Sequence, residues 1–187
     1  TTLERLPLLD YILNQFTKKP IAKLDAPVRA VLRAGLAQAR YMNVPLPAAV
    51  NESVKLTRAL GKSSAAGMVN AVLRRAAGAA VSESDFPDPL ERLSVYYCLS
   101  RPVAELLYAQ LGAEAFPLAA AFYCKPKTTI RVNTLRTDDA SLTAMLQAEG
   151  HTVSTGPWPG ALIVDFAGSP AASAAFQKGL FHVQGLA

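Results

Sequence analysis

The segment 63–75, SSAAGMVNAVLRR, constrains the fold most, because its apolar residues repeat at helical spacing. The repeated residues lie three and four positions apart and are Ala65, Met68, Val69, Val72 and Leu73. This spacing predicts a helix with one apolar face that packs in a core. Ser63 or Ser64 is positioned to cap its amino end, and the small Gly67 and Ala71 predict close approach of another helix.

The carboxyl end of the same helix is basic, because Arg74 and Arg75 close it. Positive charge is favourable there, since it meets the negative end of the helix dipole. The pattern alone leaves two interpretations open. One is a core helix with a solvated end, and the other is a core helix whose basic end holds RNA phosphates.

The net charge of the 187-residue chain is +5, and it is distributed unevenly. Residues 1–80 contain 12 lysines and arginines against 4 acidic residues, whereas residues 81–187 contain 7 against 10. A basic first half suggests a nucleic-acid partner, although a basic surface that binds nothing fits the charge equally well. No apolar run is long enough for a membrane span. With no secretory signal at the start, the two cysteines predict reduced thiols in the cytoplasm.

Helical periodicity recurs through the first 80 residues. It predicts helices over about 3–17, from the Asp25 cap to the break at 44–47, and over 47–60. Short connections between them indicate compact antiparallel packing. Periodicity is lost over 78–89, where acidic residues and prolines accumulate, so we predict domains of 1–80 and 81–187.

The second domain changes character after a stretch of helices. Residues 128–133, TTIRVN, alternate in polarity and predict a half-buried strand. We expect a helix capped by Asp138 or Asp139, and then strands near 151–154, 161–165 and 180–184. The predicted fold class is therefore multidomain: an all-α helical domain followed by a small α+β domain.

Three segments in series resemble a known family of RNA-modifying enzymes. AAVNESV at 48–54 with GMVNAVLRR at 67–75 resembles the C-terminal half of the NusB-type RNA-binding helical domain. KPKTTIRVNTLRT at 125–137 is similar to the strand that opens the RNA-binding domain of the Sun/RsmB-type rRNA cytosine-C5 methyltransferases. FQKGLFHVQ at 176–184 is similar to that family's entry into its catalytic domain. The order and spacing of the three match the family over nearly the whole chain.

The resemblance implies an enzyme that methylates C5 of a cytosine in small-subunit (16S) ribosomal RNA with S-adenosylmethionine. That chemistry needs a cysteine thiolate that adds to C6 and a cofactor pocket in an α/β domain. The family's catalytic cysteines follow proline or threonine, whereas Cys98 and Cys124 each follow a tyrosine. We therefore expect no catalytic and no cofactor-binding residue in this chain. Gly185 stands where the family has an acid after Val-Gln.

The resemblance also predicts how this chain relates to the whole enzyme. We expect a partial NusB-like domain without its first helices, then the RNA-binding domain, with the methyltransferase domain absent. Such a portion is expected to be inactive alone. S-adenosylmethionine is then implied for the full-length enzyme rather than bound by this chain.

Arg131 and Asn133 are the leading candidates for RNA contact, because they share the outward face of the predicted strand. Arginine can bind a phosphate through two hydrogen bonds, and asparagine can read a base edge or a ribose hydroxyl. Alternatively, Arg131 pairs with an acid such as Asp165, and Asn133 stabilises the following turn. The other candidates are basic and are Lys125, Lys127 and Arg136 near the strand, and Arg74, Arg75 and Lys62 in the helical domain.

Tryptophan and histidine are two further residue types with possible functions in this chain. Trp158 could stack on a base, but its place between two prolines favours packing as a turn anchor. His151 and His182 have no cysteine or carboxylate at ligand spacing, so we predict no metal site.

The leading hypothesis is the RNA-recognition portion of an rRNA methyltransferase, with ribosomal RNA as partner. One alternative is a NusB-like module that binds RNA or protein without methyl transfer, and another is a generic helical domain with no nucleic-acid role. In each case we expect a cytoplasmic monomer that does not enter a membrane. Under the leading hypothesis, Arg131→Ala should weaken RNA binding more than a substitution of Arg5.

Overall fold

The fold is known from a computed structural model that describes residues 1–124 and 126–185. These residues form two compact units, Thr1–Tyr123 and Cys124–Ala187. The predicted division between residues 80 and 81 falls inside the first unit, where Phe86 is fully buried in the helical core. None of the helices in the described ranges combines the length and the apolarity needed to cross a membrane.

The first unit is all-helical, as the sequence predicts. Its helices are α1 (Leu6–Asn14), α2 (Ala26–Tyr41), α3 (Leu46–Ala59), α4 (Ala66–Ala77), α5 (Pro89–Glu91), α6 (Arg101–Leu111) and α7 (Ala115–Ala121). Helix α5 continues directly into a π-helical turn at Arg92–Tyr96. Helices α1 to α3 each have a proline in the first turn. The N–H that proline lacks costs no hydrogen bond there, because the first N–H groups of a helix have no partner within the helix.

Helix α4 confirms the predicted apolar face and corrects its amino end. Val69, Val72 and Leu73 are buried in the main core of the helical unit. Residues Ser63–Ala65 form a 3₁₀ turn, so the α-helix begins at Ala66, and neither serine caps it. The capping prediction was wrong because the tighter turn uses backbone bonds in place of a side-chain cap.

The close approach between helices occurs at a different residue from the predicted ones. Gly67 and Ala71 are exposed, and a Cβ on Gly67 would meet no atom within 4 Å. Gly35 in α2 is buried, and a Cβ there would lie 2.8 Å from Cδ1 of Leu73 and closer still to Oγ of Ser53. Gly35 is therefore the residue that lets α2, α3 and α4 pack together.

The second unit is a small α+β fold, which confirms the predicted class. Its elements are β1 (Thr129–Val132), α8 (Asp139–Ala148), β2 (Thr152–Thr155), β3 (Ala161–Asp165), α9 (Ala174–Gln177) and β4 (Phe181–Val183). The strands form one antiparallel sheet in the order β2-β3-β1-β4. Leu142 and Leu146 of α8 and Ala175 of α9 pack with strand residues in a separate core.

Candidate nucleic-acid interface

The register of strand β1 places Arg131 on the outer face of the sheet. Its neighbours Ile130 and Val132 are buried toward the helices, whereas Arg131 is exposed. Across the sheet Arg131 is paired with Ala161 of β3 and His182 of β4. Within the described ranges, its guanidinium forms no hydrogen bond or ion pair, and Asp165 does not pair with it. This cation is therefore available to a ligand.

The side chain of Asn133 stabilises the turn after β1. Its Nδ2 donates to the carbonyl of Gly179 at 2.9 Å, and its Oδ1 accepts from the backbone N–H of Leu135 at 3.3 Å. The residue is half-buried. This arrangement matches the structural alternative considered for Asn133, and contact of its amide with RNA stays a prediction.

The basic residues around β1 differ in whether their side chains form hydrogen bonds within the protein. The Nη1 of Arg136 donates to the carbonyl of Lys178 at 2.8 Å, which ties the loop after β1 to the turn before β4. Lys127 is exposed in the extended segment before β1. Lys125 lies outside the described residues.

The candidates in the helical unit lie at opposite ends of α4. Lys62 precedes the helix, and its Nζ contacts Oδ2 of Asp25 at 2.7 Å. That hydrogen bond is the main cause that lowers the pKa of the Asp25 carboxyl. In the last turn, Arg74 donates to Oδ1 of Asn70 at 3.1 Å, and the Arg75 guanidinium lies 5.2 Å from the ring centre of Phe16.

Distance separates these helical candidates into two groups. A helix rises about 1.5 Å per residue, so Lys62 and Arg75 lie on the order of 20 Å apart. The structure therefore does not bring all three into one site. Arg74 and Arg75 are both exposed and adjacent, which leaves them as a small basic surface.

An open cleft of about 820 Å³ lies on the outer face of the sheet, with Arg131 in its lining. The other polar or large side chains that line it include Asn133, Leu135, Trp158, His182 and Gln184. Trp158 is 54% exposed, and Leu135 is 95% exposed. This exposure of Trp158 does not fit a side chain packed as a turn anchor, which its flanking prolines favour in the sequence.

His182 and Gln184 belong to this cleft but were not candidates from the sequence. Arg131 pairs with His182 because the strand order of the sheet places β4 beside β1. The sequence does not show this strand order. Alternation along the last strand was the one available signal, because it places 182 and 184 on the face opposite the buried Phe181.

The two cysteines differ in environment. Burial is the main cause that raises the pKa of the Cys98 thiol, which makes the nucleophilic thiolate rarer. Cys98 also has a positive φ of 55°. Cys124 is exposed. No group of three or more histidine, cysteine or acidic side chains suited to a metal occurs among the residues that the structure describes.

Two family models match the chain. The NusB family model matches residues 1–78. The model of the ferredoxin-like domain of the RsmF/B-like methyltransferases matches residues 103–169. The second match includes β1, α8, β2 and β3 and thus most of the sheet that carries the cleft.

Curated relatives align with most of the chain. "Ribosomal RNA small subunit methyltransferase B" of Xanthomonas campestris pv. campestris is 33% identical over 155 residues, which is 83% of this chain and 33% of the relative. "Probable ribosomal RNA small subunit methyltransferase B" of Bacillus subtilis is 32% identical over 188 residues, covering 98% of this chain and 41% of the relative. The Xylella fastidiosa protein is also 32% identical, at 98% and 42% coverage. The chain thus spans a third to two fifths of these relatives.

A solved structure supports the fold. The crystal structure of PH0851 aligns with a TM-score of 0.64 at 19% identity, covering 97% of this chain and 42% of that one. At this identity the likeness concerns the fold alone. The two family matches confirm the resemblance in the sequence: the chain joins a domain of the NusB family to the ferredoxin-like domain of the RsmF/B-like methyltransferases.

Proposed function

We propose that this chain is the RNA-recognition portion of an S-adenosylmethionine-dependent methyltransferase that acts on C5 of a cytosine in small-subunit ribosomal RNA. The observation that carries the proposal is the domain pair, aligned over most of the chain with relatives named ribosomal RNA small subunit methyltransferase B. We assign methyl transfer and cofactor binding to a part of the enzyme outside this chain, which covers 41% of the Bacillus subtilis relative.

Arg131 supports the proposal at the level of one side chain. It is an exposed cation on a rigid strand, and no described acid neutralises it. A phosphate can accept two parallel hydrogen bonds from such a guanidinium. Lys127 on the same unit, and Arg74 and Arg75 on the helical unit, would add contacts that draw the RNA in by charge.

The test is RNA binding by the whole chain at two salt concentrations. Filter binding with small-subunit ribosomal RNA should show an affinity that falls steeply between about 50 and 200 mM salt, because each phosphate contact releases counterions. Arg131→Ala should lower the affinity roughly 5- to 100-fold and flatten the salt slope by about one. An affinity indifferent to salt would contradict the proposal.

The control variant must lose one positive charge without damaging the fold. Arg5 is unsuitable, because its guanidinium lies 3.7 Å from the ring centre of Tyr123 and 4.8 Å from that of Tyr41. Arg101 is suitable, since it is exposed and its one ion pair among the described residues is with Glu105, one helical turn away. Arg101→Ala should bind RNA within about twofold of the parent chain, because exposed pairs of this kind contribute little.

A further inference from the structure

Trp158 is the one tryptophan of the 187-residue chain, and it projects from the connection between β2 and β3. Its side chain is 54% exposed. Prolines 157 and 159 flank it and restrict the backbone on both sides. A large aromatic ring left half in solvent on a stiff turn is an unused contact surface within this unit.

Hydrogen bonds hold the backbone of this turn in place. The N–H of Gly156 donates to the carbonyl of Ala161 at 2.8 Å, and the N–H of Ala161 donates to the carbonyl of Trp158 at 3.2 Å. The N–H of Gly160 donates to Oδ2 of Asp139 in α8 at 3.0 Å. The turn is therefore tied to the sheet and to a helix, and the ring is presented without a large ordering cost on binding.

The cleft beside Trp158 has a consistent chemistry. Arg131 and His182 are cross-strand neighbours on its floor, and Gln184 supplies a further amide. No aspartate or glutamate belongs to its described lining, so Arg131 keeps an uncompensated positive charge. The volume of about 820 Å³ is within the range of ligand clefts. The surface thus combines a stacking ring, hydrogen-bonding groups and a cation.

We propose that this cleft takes an unpaired nucleotide of the RNA, with its base stacked on Trp158 and its phosphate on Arg131. The inference rests on the function proposed above and names the form of RNA that the sheet selects. A base in a duplex has both faces covered by its neighbours, and an A-form helix presents mainly a shallow minor groove and phosphates. Away from the ends of a helix, only an unstacked base can offer its face to the indole ring.

The uniqueness of Trp158 makes its fluorescence a reporter of this one site. A single-stranded oligonucleotide, such as a twelve-residue oligouridine, should quench the tryptophan emission in a saturable way at low salt. A twelve-base-pair RNA duplex, with binding followed by the anisotropy of an end label, should bind more weakly and leave the emission unchanged. Emission that changes with ribosomal protein but not with RNA would assign the cleft to a protein partner and overturn the proposal.

Substitutions give an independent readout. Trp158→Ala should weaken binding of the single strand on the order of tenfold, whereas Trp158→Phe should stay within a few-fold, because a ring remains. Neither should change duplex binding. Phe122→Ala is the matched control, since Phe122 is 57% exposed at the end of α7 in the helical unit, and it should bind the single strand normally. Circular dichroism of each variant checks that it is folded.

The possible failures are distinguishable. If Trp158→Ala binds the single strand as tightly as the parent while Arg131→Ala still weakens a salt-dependent binding, the stacking site is rejected and the proposed function stands. An equal loss for single strand and duplex also rejects it. If the chain binds no RNA at either salt concentration, both proposals are rejected.

Discussion

Some basic residues of the first 80 positions form hydrogen bonds within the protein rather than pointing freely into solvent. Arg33 forms two hydrogen bonds with the carboxylate of Asp10, at 2.7 and 2.5 Å. The Nη1 of Arg40 donates to the carbonyls of Ala76, Ala77 and Ala79 at and just after the end of α4. These cations bind the protein's own acceptors, so the number of basic residues counted from the sequence overstates the number that can contact an RNA.

The Arg33–Asp10 pair leads to a prediction about stability. The two side chains are only 22% and 26% exposed, so removing the acid leaves a guanidinium partly out of water and unpaired. Asp10→Ala should lower the free energy of unfolding by about 2 kcal/mol in urea titrations. Glu52→Ala removes an acid whose pair with Lys55 is largely exposed, and it should cost less than about 0.5 kcal/mol. Equal losses would contradict this ranking.

Asp138 leads to a prediction about pH. The backbone N–H of Ser141 donates to its carboxylate and is the main cause that lowers its pKa from the ordinary 3.8. A group with a depressed pKa in the folded state stabilises it above the unfolded pKa, and this stability is lost as pH falls through the folded pKa.

The variant Asp138→Asn separates the charge from the cap, because asparagine also caps helices but does not titrate. The difference in unfolding free energy between the parent and this variant should be constant from about pH 7 to 5. It should shrink below about pH 4. Thermal melts over that range are the measurement, and a difference that grew in acid would refute the assignment.

At the scale of elements, the contact of α2 with α3 and α4 depends on one missing side chain. Gly35→Ala places a Cβ against Leu73 and Ser53 in a filled core and should destabilise the unit by about 1–3 kcal/mol. Gly67→Ala in α4 has open space around it. Because alanine is the better helix former, it should be neutral or stabilising by up to about 1 kcal/mol. Denaturant midpoints of the two variants, compared with the parent, measure the contrast.

The strand β1 shows why an element's neighbours matter as much as its own pattern. Alternation along the strand correctly predicted that Arg131 is exposed and that Ile130 and Val132 are buried. Which residues surround Arg131 depends on β3 and β4. These strands begin 29 and 49 residues after the end of β1 at Val132. The cleft is thus a product of strand order.

For the whole molecule, the described core residues form three clusters, two in the helical unit and one in the sheet unit. The helical unit and the sheet unit share no member among the described core residues. Leu146→Ala should therefore lower the unfolding midpoint seen by Trp158 fluorescence, which reports the sheet unit, by removing about 2–5 kcal/mol of stability.

The matched substitution lies in the other core. Leu32→Ala, also fully buried, should lower the midpoint seen by circular dichroism at 222 nm while the tryptophan transition stays in place. If both variants moved both transitions equally, the two units would unfold as one.

Most elements and the class of fold could be predicted from the sequence, because the 3.6-residue and two-residue periods of apolar residues are local properties of the chain. Helices α2 and α3 and strands β1 and β3 lie within one or two residues of their predicted positions. The family resemblance was also readable, since its motifs are continuous segments. The amino end of α4 was misplaced because capping depends on the local turn that the backbone adopts.

Which charges are free and which side chains form the cleft depends on contacts between distant parts of the chain. Lys62 and Asp25 are 37 positions apart in number yet form an ion pair, and Arg131 and His182 become neighbours only through the sheet. Packing also chose Gly35 over Gly67 as the close contact between helices. Such contacts join residues distant along the chain, and their partners depend on how the apolar faces of all the elements pack within the cores of each unit.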